Sequence, residues 1–302
     1  MPETRRDFFA SAAGLAAATP ALATAAASMP TVRLGKHEVS RLVLGSNPFA
    51  GGSHFNPILD QHMREWMTPE RIMELLKRSE QAGIRTWQLH TDPNLMDCMR
   101  QHRAQGGKLN TFMLSDFKEP KQTVPELAKL GVLGIVHHGE RTDIQFREGK
   151  MEEVGDFLKA VRDTGLMVGL STHHPAVVDY VEGKGWDLDF FMTCVYRRNR
   201  LPAEVRAEYG EAIVGEPYFE KDPERMCKMI RQTKRTCFAF KILAAGRNIK
   251  TKQAVDQAFR FMFENIKPKD CVIVGMYPRF KDEITENAEL TRRYGATGSP
   301  AA

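Results

Sequence analysis

The stretch Gly165–Tyr196, GLMVGLSTHHPAVVDYVEGKGWDLDFFMTCVY, constrains the fold more than any other part of the chain. Met167–Ser171 is a short apolar run that ends in the polar cluster Ser171, Thr172, His173 and His174. Pro175 suits the first turn of a helix, where its missing N–H costs nothing. Val177, Val178 and Val181 give that helix an apolar side, and Gly183 and Gly185 end it. Phe190–Val195 is a second apolar run. Two buried strands joined by a helix of this length run parallel, with a right-handed crossover. Polar residues gathered where such strands end are the usual place for chemistry.

The same unit recurs along the chain. Thr31–Leu34 and Glu38–Ser40 flank Gly35-Lys36 as a short hairpin. Core strands are expected at Leu42–Gly45, Thr86–His90, Thr111–Ser115, Gly134–His138, Met167–Ser171, Phe190–Val195, Ala239–Ile242 and Val272–Gly275. Between them lie helical patterns, clearest at Met151–Thr164, where Met151, Val154, Phe157, Leu158 and Val161 fall at helical spacing. Long connections run from Asn47 to Thr68 and from Arg197 to Asp222, carrying Phe55, Trp66, Tyr209, Tyr218 and Phe219 as candidates to stack on a ligand. Eight strands alternating with helices predict an α/β fold, a (β/α)8 TIM barrel with an N-terminal hairpin, as one domain over residues 31–295. The first crossover, Gly45-Ser46-Asn47-Pro48-Phe49, lacks the G-x-G-x-x-G of a doubly wound dinucleotide fold.

The chain ends are read separately. Thr4-Arg5-Arg6-Asp7-Phe8-Phe9 precedes an alanine-rich, weakly apolar run, so residues 1–27 read as a twin-arginine signal peptide and 296–302 as a disordered tail. The expectation is a periplasmic or extracellular protein that meets the twin-arginine export machinery and has no membrane segment in its mature form. The net charge of +5 is scattered apart from Arg197, Arg198 and Arg200, with no basic helix interleaved with aromatics, so nucleic acid is not an expected partner. Five cysteines without a CxxC make no disulfide framework.

Three segments in order resemble the aldo-keto reductase superfamily: VRLGKHEVSRLVLGSNPFAGG, MVGLSTHHP followed by FFMTCVY, and VIVGMYPRFKDEITEN. The resemblance implies an NADP(H)-dependent oxidoreductase acting on a small carbonyl or alcohol, possibly sugar-like. It implies cofactor contacts at Ser171, Tyr196, Gly275, Arg279, Glu286 and Asn287, with Tyr196 stacking on nicotinamide and Arg279 meeting a 2′-phosphate. The family's catalytic aspartate, tyrosine and lysine positions read here as Gln88, a residue near Pro93, and Ser115 or Asp116. Of that tetrad only the histidine is matched, by His137 or His138.

Imidazoles replace the tetrad. His90, His137, His138, His173 and His174 are five of the nine histidines and stand at three strand ends, with Asp92 and Asp116 nearby and Lys241 on the seventh barrel strand. The candidate catalytic set is therefore His90, His137, His138, His173, Asp116 and Lys241. In one reading a histidine replaces tyrosine as the proton donor beside the nucleotide, which its ordinary pKa suits. In a second, His90, His138 and His173 bind a divalent metal, zinc or manganese, in an isomerase, lyase or hydrolase. In a third, the chain is an exported binding protein without turnover. Lys241 is either a salt-bridged barrel lysine or a Schiff-base former.

Overall fold

The computed structural model describes residues 28–115 and 120–296. Residues 1–27 and 297–302, and with them the signal-peptide reading, lie outside the described residues, as does Asp116. The chain enters through an antiparallel hairpin, β1 (Thr31–Leu34) and β2 (His37–Ser40), which turns at Gly35 with φ of 58°. Eight parallel strands follow: β3 (Leu42–Gly45), β4 (Thr86–His90), β5 (Asn110–Ser115), β6 (Gly134–His137), β7 (Met167–Thr172), β8 (Phe190–Cys194), β9 (Thr236–Phe240) and β10 (Cys271–Gly275). They pair in that order and β10 closes on β3, a (β/α)8 barrel as expected.

Each barrel strand is buried on both faces, so its sequence is nearly continuous in apolar residues. Successive side chains nevertheless point alternately inward and outward. Phe112, Phe190 and Phe238 meet inside the barrel, with ring centroids 4.7 to 5.4 Å apart. Val32, Leu34 and Val39 of the hairpin join this inner cluster and plug the end where the strands begin. The outward residues, such as Leu44, Leu89, Ile135, Leu170 and Phe191, form the larger cluster against the helices. At the plugged end the buried Arg41 ties first strand to last helix, its guanidinium donating to the carbonyls of Asp270 (2.9 Å), Gly295 (2.8 Å) and Lys267 (3.2 Å).

The helices are α1 (Pro57–Trp66), α2 (Pro69–Gln81), α3 (Pro93–Ala104), α4 (Pro120–Ala128), α5 (Gly139–Arg147), α6 (Met151–Asp163), α7 (Pro175–Gly183), α8 (Pro202–Tyr209), α9 (Asp222–Gln232), α10 (Lys252–Asn265) and α11 (Glu283–Tyr294). Thr68, Asp92, Thr251 and Asp282 cap α2, α3, α10 and α11, each side chain accepting a backbone N–H of the first turn. Asp92 is thus a helix cap. Three departures from expectation bear on the site. Both long connections contain a helix, α1 and α8. The sharp turn after β6 leads at once into α5, which carries much of the site's polar framework. Strand β9 ends at Phe240, earlier than its apolar run suggested, which leaves Lys241 just beyond it with φ of 61°. Among the described residues no helix is long and apolar enough to cross a membrane.

Candidate active site

The alternation that fills the barrel also decides what faces its open end. The inward set runs through Gly45, Gln88, His90, Leu114, His138, Ser171, His173, Met192, Phe240 and Gly275, all on the wall of a cavity of about 630 Å³ where the strands' carboxyl ends meet. That size suits a small-molecule site. The cavity extends between the segment after β9 (Lys241, Leu243, Ala245, Gly246) and that after β10 (Tyr277, Phe280, Glu283).

His173 is the best-supported group on this wall. It is buried, and its Nδ1 lies 2.8 Å from Asp143 Oδ2 on α5. The same carboxylate accepts the backbone N–H of His173 (2.9 Å), the Thr172 hydroxyl (2.5 Å) and the Asn199 amide (2.7 Å). Burial opposes charge on Asp143, but the His173 hydrogen bond and the other donors hold its pKa below the ordinary value, so it is ionised. An ionised acceptor requires Nδ1–H on His173, which leaves Nε2 with the lone pair. Burial pushes the His173 pKa down to about 4, so the ring is neutral at pH 7. Gly139 lets the cavity reach this ring: a Cβ there would meet Ser171 Oγ at 2.8 Å and His173 Cε1 at 3.2 Å.

The other histidines divide by strand parity. Val136 faces the barrel interior, so His137 faces outward and His138 inward. His137 packs edge-on to Phe157 of α6 (centroids 4.8 Å apart), with Nδ1 2.7 Å from the Thr142 hydroxyl, and burial lowers its pKa to about 3. It does not line the cavity, which corrects the expectation that it joins the catalytic set. His90 lines the cavity with Nδ1 3.1 Å from Ser46 Oγ. His174 instead caps α7, accepting the Ala176 N–H at 3.1 Å. A smaller cavity of about 350 Å³ lies on the far side of His173, lined by His174, Arg197, Arg200 and Asp222.

Two cations reach the main cavity. Continuing the parity of β9 would send Lys241 outward, but the left-handed backbone at that residue breaks the alternation and its side chain lines the cavity. Arg198 joins it from the long connection after β8. Arg198 pairs with Glu140 (2.7 Å) and Glu216 (2.8 Å), and Glu216 also meets His54 Nδ1 at 2.9 Å. The His54–Glu216 contact joins the two long connections, and His54 Nε2 lies 3.0 Å from the Asn47 amide of its own connection. Burial would raise the Glu216 pKa, yet the His54 and Arg198 contacts hold it at about 2. The arginine cluster is thereby resolved: Arg200 is buried on Asp222 through contacts of 2.6 and 2.7 Å, Arg197 pairs with Glu204, and Arg198 serves the cavity.

The residues expected from the resemblance to hold a nucleotide are only partly gathered. Ser171 and Gly275 line the cavity. Tyr196 does not: it is buried against Tyr218 and its hydroxyl accepts from Asn248 at 3.1 Å, because it stands past the end of β8 under the long connection. Arg279 is exposed on the turn before α11, Glu286 pairs with Lys281, and Asn287 is buried in α11, none of them on the cavity wall. The loop aromatics proposed to stack on a ligand also turn aside: Tyr209 stacks on Phe219, and Trp66 packs on Tyr277. Phe240, Tyr277 and Phe280 are on the wall instead.

The metal reading is corrected as well. Among the described residues no three His, Cys, Asp or Glu side chains are grouped to hold an ion. His173 Nδ1 is taken by Asp143, and His90 Nδ1 faces Ser46. The five cysteines are all buried and free. What sequence reasoning missed is Asp143, an ordinary-looking acid on a helix, together with Gly139, His54 and Glu216. Only contacts distant in sequence mark them out.

No protein-family model matches the chain, and no curated protein matches it. Solved structures do. An aldo-keto reductase from Bacillus halodurans in its holo form is 11% identical over 87% of this chain and 91% of its own, with a TM-score of 0.55. A variant of Gox0644 in complex with NADPH is 10% identical over 87% and 88%, at 0.53. A truncated 3-deoxy-D-arabino-heptulosonate 7-phosphate synthase from Thermotoga maritima is 11% identical over 89% and 90%, at 0.51. At these identities the likeness establishes a (β/α)8 barrel, a fold this chain has in common with reductases and with a synthase.

Proposed function

We propose that this protein is an oxidoreductase of the aldo-keto reductase type, interconverting a small alcohol and its carbonyl with a nicotinamide nucleotide. The observation that carries the reading is the His173–Asp143 pair at the carboxyl-end mouth, opening onto the cavity of about 630 Å³. Support also comes from the reductase barrels among the structural neighbours, one of them in complex with NADPH.

A nucleotide fits the residues present. Gly139 keeps the Ser171 hydroxyl open at the inner end, where a side chain would cover it. Gly275 lines the wall against Pro48, whose ring lies 2.7 Å from where a Cβ would stand, and Tyr277 and Phe280 add aromatic faces. Ser171 would hold the carboxamide end, the segment at Gly275 the phosphates, and Arg279 at the rim a 2′-phosphate. Bound there, the nucleotide would exchange the hydride.

The protein's own part is the proton. With Nδ1–H fixed on Asp143, His173 Nε2 accepts the hydroxyl proton of an alcohol, and the Asp143 carboxylate stabilises the imidazolium that forms. In the reverse direction the imidazolium returns that proton to the carbonyl oxygen. At pH 7 the ring is in the neutral form that begins alcohol oxidation, and the imidazolium that begins reduction becomes more populated as the pH falls toward 4. His90 and His138 would orient the substrate oxygen. The Arg5-Arg6 segment and the alanine-rich run after it support export by the twin-arginine route to the periplasm or beyond.

The test is a titration of the purified protein with NADP+ and NADPH, followed by nucleotide fluorescence, then turnover against a panel of small alcohols and sugars. Binding with turnover that is lost in His173→Asn supports the reading. Absence of any nucleotide response removes it and leaves the binding-protein alternative. Cell fractionation of the wild type and an Arg5→Lys/Arg6→Lys variant tests the export step.

A further inference from the structure

Lys241 is not used by the reductase chemistry above, and its setting is unusual for a lysine. Its side chain lines the main cavity, placed there by a left-handed backbone one residue past β9, a conformation that favours glycine. The carboxylates that approach it are already engaged: Glu140 and Glu216 pair with Arg198, and Glu216 also with His54. Among the described residues none forms an ion pair with Lys241 itself. Its nearest aromatic contact is Phe240, with Nζ 5.9 Å from the ring centroid. The groups whose fields reach it are Cys194 of β8, Arg198 and Glu216 of the long connection, Glu140 of α5, and His173 and His54. A salt-bridged structural lysine would be held by one of those acids. This one is a partly buried amine in the field of the Arg198 guanidinium, facing a cavity that His173 also lines.

We propose that Lys241 is a nucleophilic amine that condenses with small aldehydes or ketones entering the cavity. The Nζ lone pair forms a bond to the carbonyl carbon while the C=O π bond breaks, giving a carbinolamine. His173 carries the two nitrogen protons to oxygen in turn: the first gives the neutral carbinolamine, and the second lets the C–O bond break with loss of water as the nitrogen lone pair forms the C=N bond. The products are a Schiff base and one water, so the step needs no oxidant or reductant. Burial supports it by pushing the Lys241 pKa down to about 8, which leaves an appreciable fraction of free amine at pH 7. The inference goes beyond the reductase reading and requires no nucleotide.

The experiment is competitive labelling of the full chain with formaldehyde and a hydride reductant, at pH 7 and then across a pH series up to about pH 11, without nucleotide, quantified lysine by lysine by mass spectrometry. Formaldehyde is the smallest carbonyl, and the reductant fixes the imine as a methylated amine. Lys241 is expected to label at least ~10-fold faster than the exposed Lys184 and Lys250, with a rate midpoint near pH 8. Labelling of Lys241 no faster than those two, or with a midpoint above pH 10, overturns the proposal. The result stands apart from the reductase test, because an inert amine leaves nucleotide binding untouched and a missing nucleotide leaves the amine reactive.

Discussion

His173 Nδ1 lies 2.8 Å from Asp143 Oδ2, and the two residues come from different layers of the barrel, one following strand β7 and the other on helix α5. The helix layer thus sets which ring nitrogen meets the cavity. Asp143 can do this because the His173 ring, with the Thr172 hydroxyl and the His173 N–H, holds its buried carboxylate ionised.

Asp143→Asn keeps the shape and removes the charge. The amide no longer demands Nδ1–H, so the wrong tautomer becomes available. Turnover is expected to fall by ~10²–10⁴-fold with little loss of helical circular dichroism. Steady-state kinetics beside a melting curve check this, and turnover within threefold of wild type would count against the pair.

Gly139→Ala tests the opening onto the ring. The added Cβ would meet Ser171 Oγ at 2.8 Å, so one of them must move. Activity should drop at least ~10-fold while the melting temperature shifts by only a few degrees, since the cost is about 1–2 kcal/mol. Unaltered kinetics would show that the ring is reached from another side.

His137 and His173 should respond in opposite ways. His137→Ala removes the ring packed on Phe157 and is expected to lower stability by about 2 kcal/mol with turnover largely kept. His173→Asn keeps an amide donor near Asp143 and should abolish turnover with a smaller loss of stability. Denaturant melts and rates on both variants decide it.

Acid should weaken the fold through the same two rings. Burial depresses His137 to about 3 and His173 to about 4, below the ordinary value of 6.5 that each has when unfolded. Between pH 6.5 and 4 the unfolded chain therefore binds protons that the folded chain does not, and stability rises with pH across that window. Each ring contributes a slope of at most about 1.4 kcal/mol per pH unit. Urea melts at pH 7, 6, 5 and 4 should show the decline, and His137→Ala should flatten it.

Glu216→Gln should loosen the strap over the mouth. The variant removes the charge that Arg198 and His54 share at 2.8 and 2.9 Å. The expected cost is about 1–2 kcal/mol, with faster proteolytic cleavage in the connection after β8. An unchanged cleavage rate would mean that the connection is held from elsewhere.

Much of the fold was legible in the residues themselves. Short apolar runs closed by polar clusters, with Pro175 and Thr68-Pro69 opening helices, required parallel strands and crossovers, and their number required a barrel. The mouth histidines followed from strand ends. The choice between His137 and His138 did not, because strands buried on both faces carry apolar residues at every position and the pattern hides its own parity. Ile135 and Val136 look alike in sequence, and only the closed barrel shows that the second faces in.

What the sequence alone determined, then, is the architecture and the end of it where chemistry gathers, since periodicity and breakers act locally. The partners of each side chain were decided only by tertiary structure. Asp143 reaches His173 across 30 residues, Glu216 reaches His54 across 162, and the left-handed turn at Lys241 reverses where its side chain goes. Hydrogen bonds and charge pairs of this kind act over a few ångströms in space, whatever the distance along the chain, and leave no local pattern to read.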